Sequence, residues 1–175
     1  MGGEDSTSTI PTDGSGNSRF EKRLRVVSIV IISSLVALSG VGLLGVMSAT
    51  TRAADGDYSL VVHYPAVARP GLAAAFWIDV TRDNTMLPRQ VTLRIDSNYL
   101  DMFDDNSIEP LPVSSYETGE STWWTFDVPP DQKTLRVGLD VRVEPDVQWG
   151  REGTASMEVD GADVVTASFR TWVMP

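Results

Sequence analysis

Two hydrophobic regimes divide the chain. Val26–Met47, VVSIVIISSLVALSGVGLLGVM, runs for twenty-two residues without a charge. From Leu60 onward, apolar residues instead recur at alternate positions. The first regime predicts a membrane-spanning helix and the second predicts half-buried strands. At about 1.5 Å per residue the apolar run reaches roughly 33 Å, against a hydrocarbon core of about 30 Å. Thirteen of its residues are Leu, Ile or Val, which outweigh its serines and glycines on an insertion scale.

The alternation has a definite parity. Leu60-Val-Val-His-Tyr64 opens the series, and Pro65 and Pro70-Gly71 are expected to break it. Ala74, Phe76, Ile78 and Val80 share one face of a strand. Val91, Leu93 and Ile95 share another, as do Trp124, Phe126 and Val128. Leu135, Val137, Leu139, Val141 and Val143 form the longest run, opposed by Arg136, Asp140 and Arg142. Ala155, Met157 and Val159 lead to Asp160-Gly161, a preferred hairpin turn. The return strand carries Val165, Ala167, Phe169 and Val173. Ser97–Asp105 alone has a helical look, with Tyr99, Leu100 and Phe103 able to share a face. The pattern therefore predicts an all-β domain, an antiparallel Ig-like β-sandwich of about seven strands preceded by one transmembrane α-helix.

Flanking charge gives an orientation. Arg19, Lys22, Arg23 and Arg25 precede the apolar run, and only Arg52 follows it closely. The positive-inside rule places the N-terminus in the cytoplasm and the β domain outside it, at the cell membrane. Met1–Ser18 is polar and too poor in apolar residues to fold. The predicted organisation is a disordered cytoplasmic tail over 1–25, a single-pass transmembrane helix over 26–49 and a linker over 50–57. An extracytoplasmic sandwich fills 58–175. A cleaved signal peptide is the rival reading, with Thr51-Arg-Ala53 as a poor cleavage site, but the run is longer than an h-region.

Composition narrows the chemistry. The 175 residues include no cysteine and one histidine, His63. Disulfides, thiolates and multi-histidine zinc sites on one chain are therefore excluded. Net charge is −10, and residues 53–175 hold twenty acids against nine bases. Such a surface argues against nucleic acid as a partner.

The segments Pro129-Pro-Asp, Leu-Asp-Val-Arg-Val-Glu-Pro145, Gln-Trp-Gly150 and Phe-Arg-Thr-Trp-Val-Met-Pro175 bring a family into view. Over roughly Tyr58–Pro175 the chain resembles small membrane-anchored exported proteins of actinobacteria. The resemblance implies a membrane partner of the YetF type and supplies no catalytic residue.

Three groups of residues remain as candidates. Asp101, Asp104, Asp105 and Glu109, with Asn106, offer the hard oxygen ligands Ca²⁺ takes, without EF-hand spacing. Trp77, Trp123 and Trp172 fall off the core parity and are candidates for partner binding on an outer face. His63 with Asp79 or Asp127 and a serine sketches a catalytic set, but no G-x-S-x-G elbow accompanies it. No cofactor is expected. The function read from the sequence is a non-catalytic, membrane-anchored interaction or accessory module. It would contact lipid through its helix and a membrane or envelope protein through its domain. The alternative is a module binding Ca²⁺ or cell-wall glycan.

Overall fold

The computed structural model describes residues 17–40 and 45–174, with side chains at 20–37, 45–104 and 107–174. They fall into two compact units divided between residues 44 and 45. The first contains helix α1, Asn17–Gly40. Glu21, Lys22, Arg23 and Leu24 are good helix formers, and they carry α1 back into a stretch expected to be a disordered tail. The remainder of that tail lies outside the described residues. Val26, Val27, Ile29, Val30, Ile31 and Ile32 are all exposed, so within two turns apolar side chains point in every direction around the helix.

Among the described residues no helix is long and apolar enough to cross a membrane. The charge-free part of α1, Val26–Gly40, is fifteen residues. That is about 22 Å of helix, short of the roughly 30 Å a span needs. The span expected over 26–49 is also corrected at its far end. Val46 packs against the β core and strand β1 begins at Met47. The expected linker at 50–57 is mostly β1, Met47–Asp55. Residues 41–44 lie outside the described residues.

The second unit is a two-sheet sandwich of eleven strands among the described residues, where about seven were expected. After β1 come β2 (Tyr58–Ala68), β3 (Ala73–Arg82), β4 (Gln90–Asp96) and the single turn α2 (Ser97–Leu100). Then follow β5 (Phe103–Glu109), β6 (Ser114–Glu117), β7 (Ser121–Asp127) and β8 (Thr134–Val143). The chain closes with β9 (Glu152–Val159), β10 (Ala162–Arg170) and β11 (Trp172–Val173). One sheet has the order β1-β2-β3-β8-β5, with β11 added in parallel to β2. The other has the order β10-β9-β4-β7-β6.

The expected parity holds in the interior strands. Phe76, Ile78 and Val80 of β3, Val91, Leu93 and Ile95 of β4, and Val137 and Val141 of β8 are buried between the sheets. Each such side chain contributes about 1.5–3 kcal/mol by leaving water. Asp160 and Gly161 have φ of 53° and 80°, the pair of positive values that a type I′ hairpin requires. Two expectations fail. Pro65 does not end β2, because it lies in the strand paired with Ser48. Val173 does not continue the strand of Phe169, because the chain turns at buried Thr171 and passes to the other sheet.

Four aromatic rings fill one end of the core. Tyr99 meets Phe169 edge-on, with centroids 4.8 Å apart at 87°, and Phe103 at 5.4 Å. Phe76 lies 5.9 Å from both Tyr99 and Phe169. The helical face expected over Ser97–Asp105 thus resolves into a short turn and the first residue of a strand. Tyr99 and Phe103 still meet in the core.

Candidate functional site

Strand parity distributes the three candidate tryptophans over separate surfaces. Trp77 is on the outer face of the β1-β2-β3-β8-β5 sheet and Trp123 on the outer face of the other. Trp172 is on β11, at one end of the sandwich. They form no common aromatic surface.

On the first outer face, register aligns Thr50, His63, Trp77 and Gly138 on neighbouring strands. His63 stacks on Trp77 with centroids 4.4 Å apart at 18°. Thr50 Oγ1 lies 2.9 Å from His63 Nδ1. Asp79 Oδ2 lies 3.6 Å from His63 Nε2, beyond hydrogen-bond range. The Asp79 carboxylate is instead occupied by Arg136, whose Nε and Nη2 donate to it at 2.6 and 2.9 Å. That fork is a bidentate charge-assisted pair. It holds the guanidinium pKa above its ordinary value, through the hydrogen bonds first and the carboxylate charge second. Thr50, His63, Asp79 and Arg136 line an open groove of about 890 Å³. The histidine and aspartate suspected from sequence are therefore neighbours. Thr50 and Arg136, which sequence reasoning did not single out, join them through register.

On the opposite outer face, Trp123 Nε1 donates to Glu158 Oε1 at 3.0 Å. Arg94 reaches Asp163 at 2.6 Å and Glu158 at 3.8 Å. Tyr116, on the edge strand β6, lies 5.6 Å from Trp123. Tyr116 is 65% exposed, and Leu111 and Val113 just before β6 are 78% and 55% exposed. This apolar edge carries no periodic signal, because every residue of β6 is exposed.

The third site is the end of the sandwich. Pro70, Pro145, Val147, Trp149, Arg170 and Trp172 line a groove of about 720 Å³. The Arg170 guanidinium stands 4.2 Å over the Trp172 ring. Gly150 lets the 149–150 segment press against this strand, since a Cβ there would lie 2.7 Å from the Trp172 Cα. Trp149 falls in an aperiodic loop, and so its place beside Trp172 was not readable from spacing.

The acidic candidates spread out. Asp101 is exposed just beyond α2. Asp104 and Glu109 are exposed at opposite ends of β5, five residues or about 16 Å apart. One ion cannot take both. The Asp105 side chain lies outside the described ones. Among the described residues no three His, Asp or Glu side chains gather as a metal site.

No family model matches the chain, and no curated protein does either. Its solved structural neighbours are distant. The human F-spondin reeler domain gives a TM-score of 0.37 at 10% identity, covering 69% of this chain and 90% of that one. The Pseudomonas fluorescens alkylpurine DNA glycosylase AlkC, bound to DNA containing an abasic site analog, gives 0.32 at 10% identity. It covers 69% of this chain and 31% of that one.

Proposed function

We propose that the protein is a membrane-anchored accessory module whose extracytoplasmic β-sandwich works by contact with another envelope or membrane protein, not by catalysis. The observation that carries this reading is the open edge of β6. It ends its sheet, sets exposed Tyr116 beside Trp123, and is preceded directly by exposed Leu111 and Val113. An edge strand keeps unpaired backbone donors and acceptors, and apolar neighbours give a partner strand something to bury.

The anchor in this reading is the charge-free stretch that begins in α1. Between Val26 and the start of the sandwich it has nineteen residues, 26–44. A span takes about 17–25. Apolar side chains on all sides of α1 support it, since such a helix has no single stripe to bury against a soluble domain. Arg19, Lys22, Arg23 and Arg25 on the near side favour a cytoplasmic N-terminus. A contact role is favoured by Asp79, whose carboxylate is held by Arg136 and stands 3.6 Å from His63, beyond hydrogen-bond range, so that His63 is hydrogen-bonded to Thr50 and not to a carboxylate. The two largely antiparallel sheets suit an Ig-like interaction scaffold.

The test places a photo-crosslinking phenylalanine at position 116 of the full chain in native membranes. A single adduct of constant mass, absent when the probe sits at Asn84, is the expected result. No adduct at 116, or equal adducts at both positions, would contradict the reading. The same edge supports a second reading, glycan binding, because Tyr116 and Trp123 sit side by side among Arg94, Glu158 and Thr125. Retention on cell-wall material that is lost in Trp123→Ala would favour it.

A further inference from the structure

We infer that the end of the sandwich carrying Trp149 and Trp172 rests in the lipid–water interface of the membrane in which the chain is anchored. The inference depends on the anchoring proposed above and goes beyond it, because it says which surface of the domain faces the bilayer.

Five large apolar residues are exposed at this end: Met47, Leu72, Trp149, Trp172 and Met174. Backbone pairing holds them together. Val67 of β2 pairs with Met47 on one side and Trp172 on the other. With strands about 4.8 Å apart, these two backbones are about 10 Å from each other. Met174 donates its backbone N–H to Ala68 O at 3.0 Å. Leu72 closes the turn that begins at Arg69 and leads into β3. Trp149 is brought to Trp172 by the shared groove.

The chain enters the domain at this same end. Gly45 and Val46 lead directly into Met47 at the start of β1. With the anchor proposed above ending at residue 44, the chain leaves the bilayer beside Gly45, and this end of the sandwich is the one next to the membrane. Contiguous exposed apolar side chains of this size mark a protein or membrane contact surface.

The residue types fit an interface. Tryptophan is enriched at the headgroup level, where one part of the ring is wet and the other apolar. Arg170 over Trp172 has the aliphatic stem and charged head of a side chain that lies along apolar surface and reaches water. Arg170 is paired here with Glu152 at 3.5 Å, and residues 53–175 hold twenty acids against nine bases. Docking is therefore driven by apolar insertion, and it should persist at high salt and on zwitterionic lipid.

The experiment uses the full chain in phosphatidylcholine vesicles at high lipid-to-protein ratio. Brominated acyl chains quench any tryptophan that touches them. Wild type should be quenched, and Trp149→Phe/Trp172→Phe should lose most of that quenching with an unchanged melting curve. No quenching, or equal quenching in both proteins, overturns the inference. Alkaline carbonate retention is read on the same vesicles. Retention without quenching removes the docking and leaves the anchor, whereas quenching without retention removes the anchor and leaves a peripheral lipid-binding surface. Shielding from aqueous acrylamide that rises with protein density, without lipid quenching, assigns the patch to a second copy and also overturns the inference.

Discussion

Tyr99 donates its phenolic hydrogen to Thr171 Oγ1 at 2.8 Å, inside the core. The direction follows because Thr171 already donates its own hydrogen to Pro65 O at 2.6 Å. Both side chains are fully buried. The chain of bonds ties α2, the crossing to β11 and the strand β2 together, residues far apart in sequence. Thr171→Val keeps the shape and strands the Tyr99 hydroxyl without a partner. A buried unsatisfied donor costs about 1–3 kcal/mol. Denaturant melting of residues 45–175 should show a loss of that size, and Tyr99→Phe a smaller one.

Burial raises the Tyr99 pKa, and the Thr171 hydrogen bond offsets this only in part. In the unfolded chain the phenol ionises near its ordinary value of about 10. The folded state keeps its proton to higher pH. Between those values the unfolded chain binds fewer protons, so stability falls as pH rises. Wild type should therefore lose stability above about pH 10, and Tyr99→Phe should show a shallower decline over the same range. Urea midpoints across an alkaline series test this, and parallel declines would contradict it.

Gly153 makes room for the aromatic cluster. A Cβ there would lie 2.7 Å from the Tyr99 ring and 2.9 Å from Phe169. These rings are buried at the centre of a packed end and cannot swing away. Gly153→Ala should cost about 1–3 kcal/mol, the usual range for overpacking. Thermal melting measures it, and an unchanged midpoint would show that the cluster can relax.

Tyr116 and Leu111 are exposed and make no core contact. Tyr116→Ala and Leu111→Ser should each change stability by less than about 0.5 kcal/mol. In membranes the same substitutions should abolish the adduct formed by a photo-crosslinker at Val113. Full adduct yield in both folded variants would show that the β6 edge is not a contact surface.

What the sequence made legible follows from where water is. Interior strands β3, β4, β7 and β8 are buried on one face, so their alternation of apolar and polar residues is regular. Edge strands need no such pattern. In β1 the inward positions are Ala49, Thr51 and Ala53, too small to register as apolar. In β6 every residue is exposed. Parity alone placed Trp77 and Trp123 off the core, yet it could not say that they belong to opposite sheets. The apolar run from Val26 hides its own boundary, because Val46 and Met47 are as apolar as the helix while serving the sandwich. The site residues were legible only in part for the same reason. His63 and Asp79 are brought together by register between β2 and β3, and Trp149 by a loop with no period.

The anchoring proposed above holds this β-sandwich at a membrane by the segment before residue 45. Alkaline carbonate extraction of membranes expressing the full chain, beside a chain beginning at Gly45, measures it directly. The full chain should stay in the pellet until detergent is added, and the shorter chain should stay soluble. Release of the full chain by carbonate alone would contradict it.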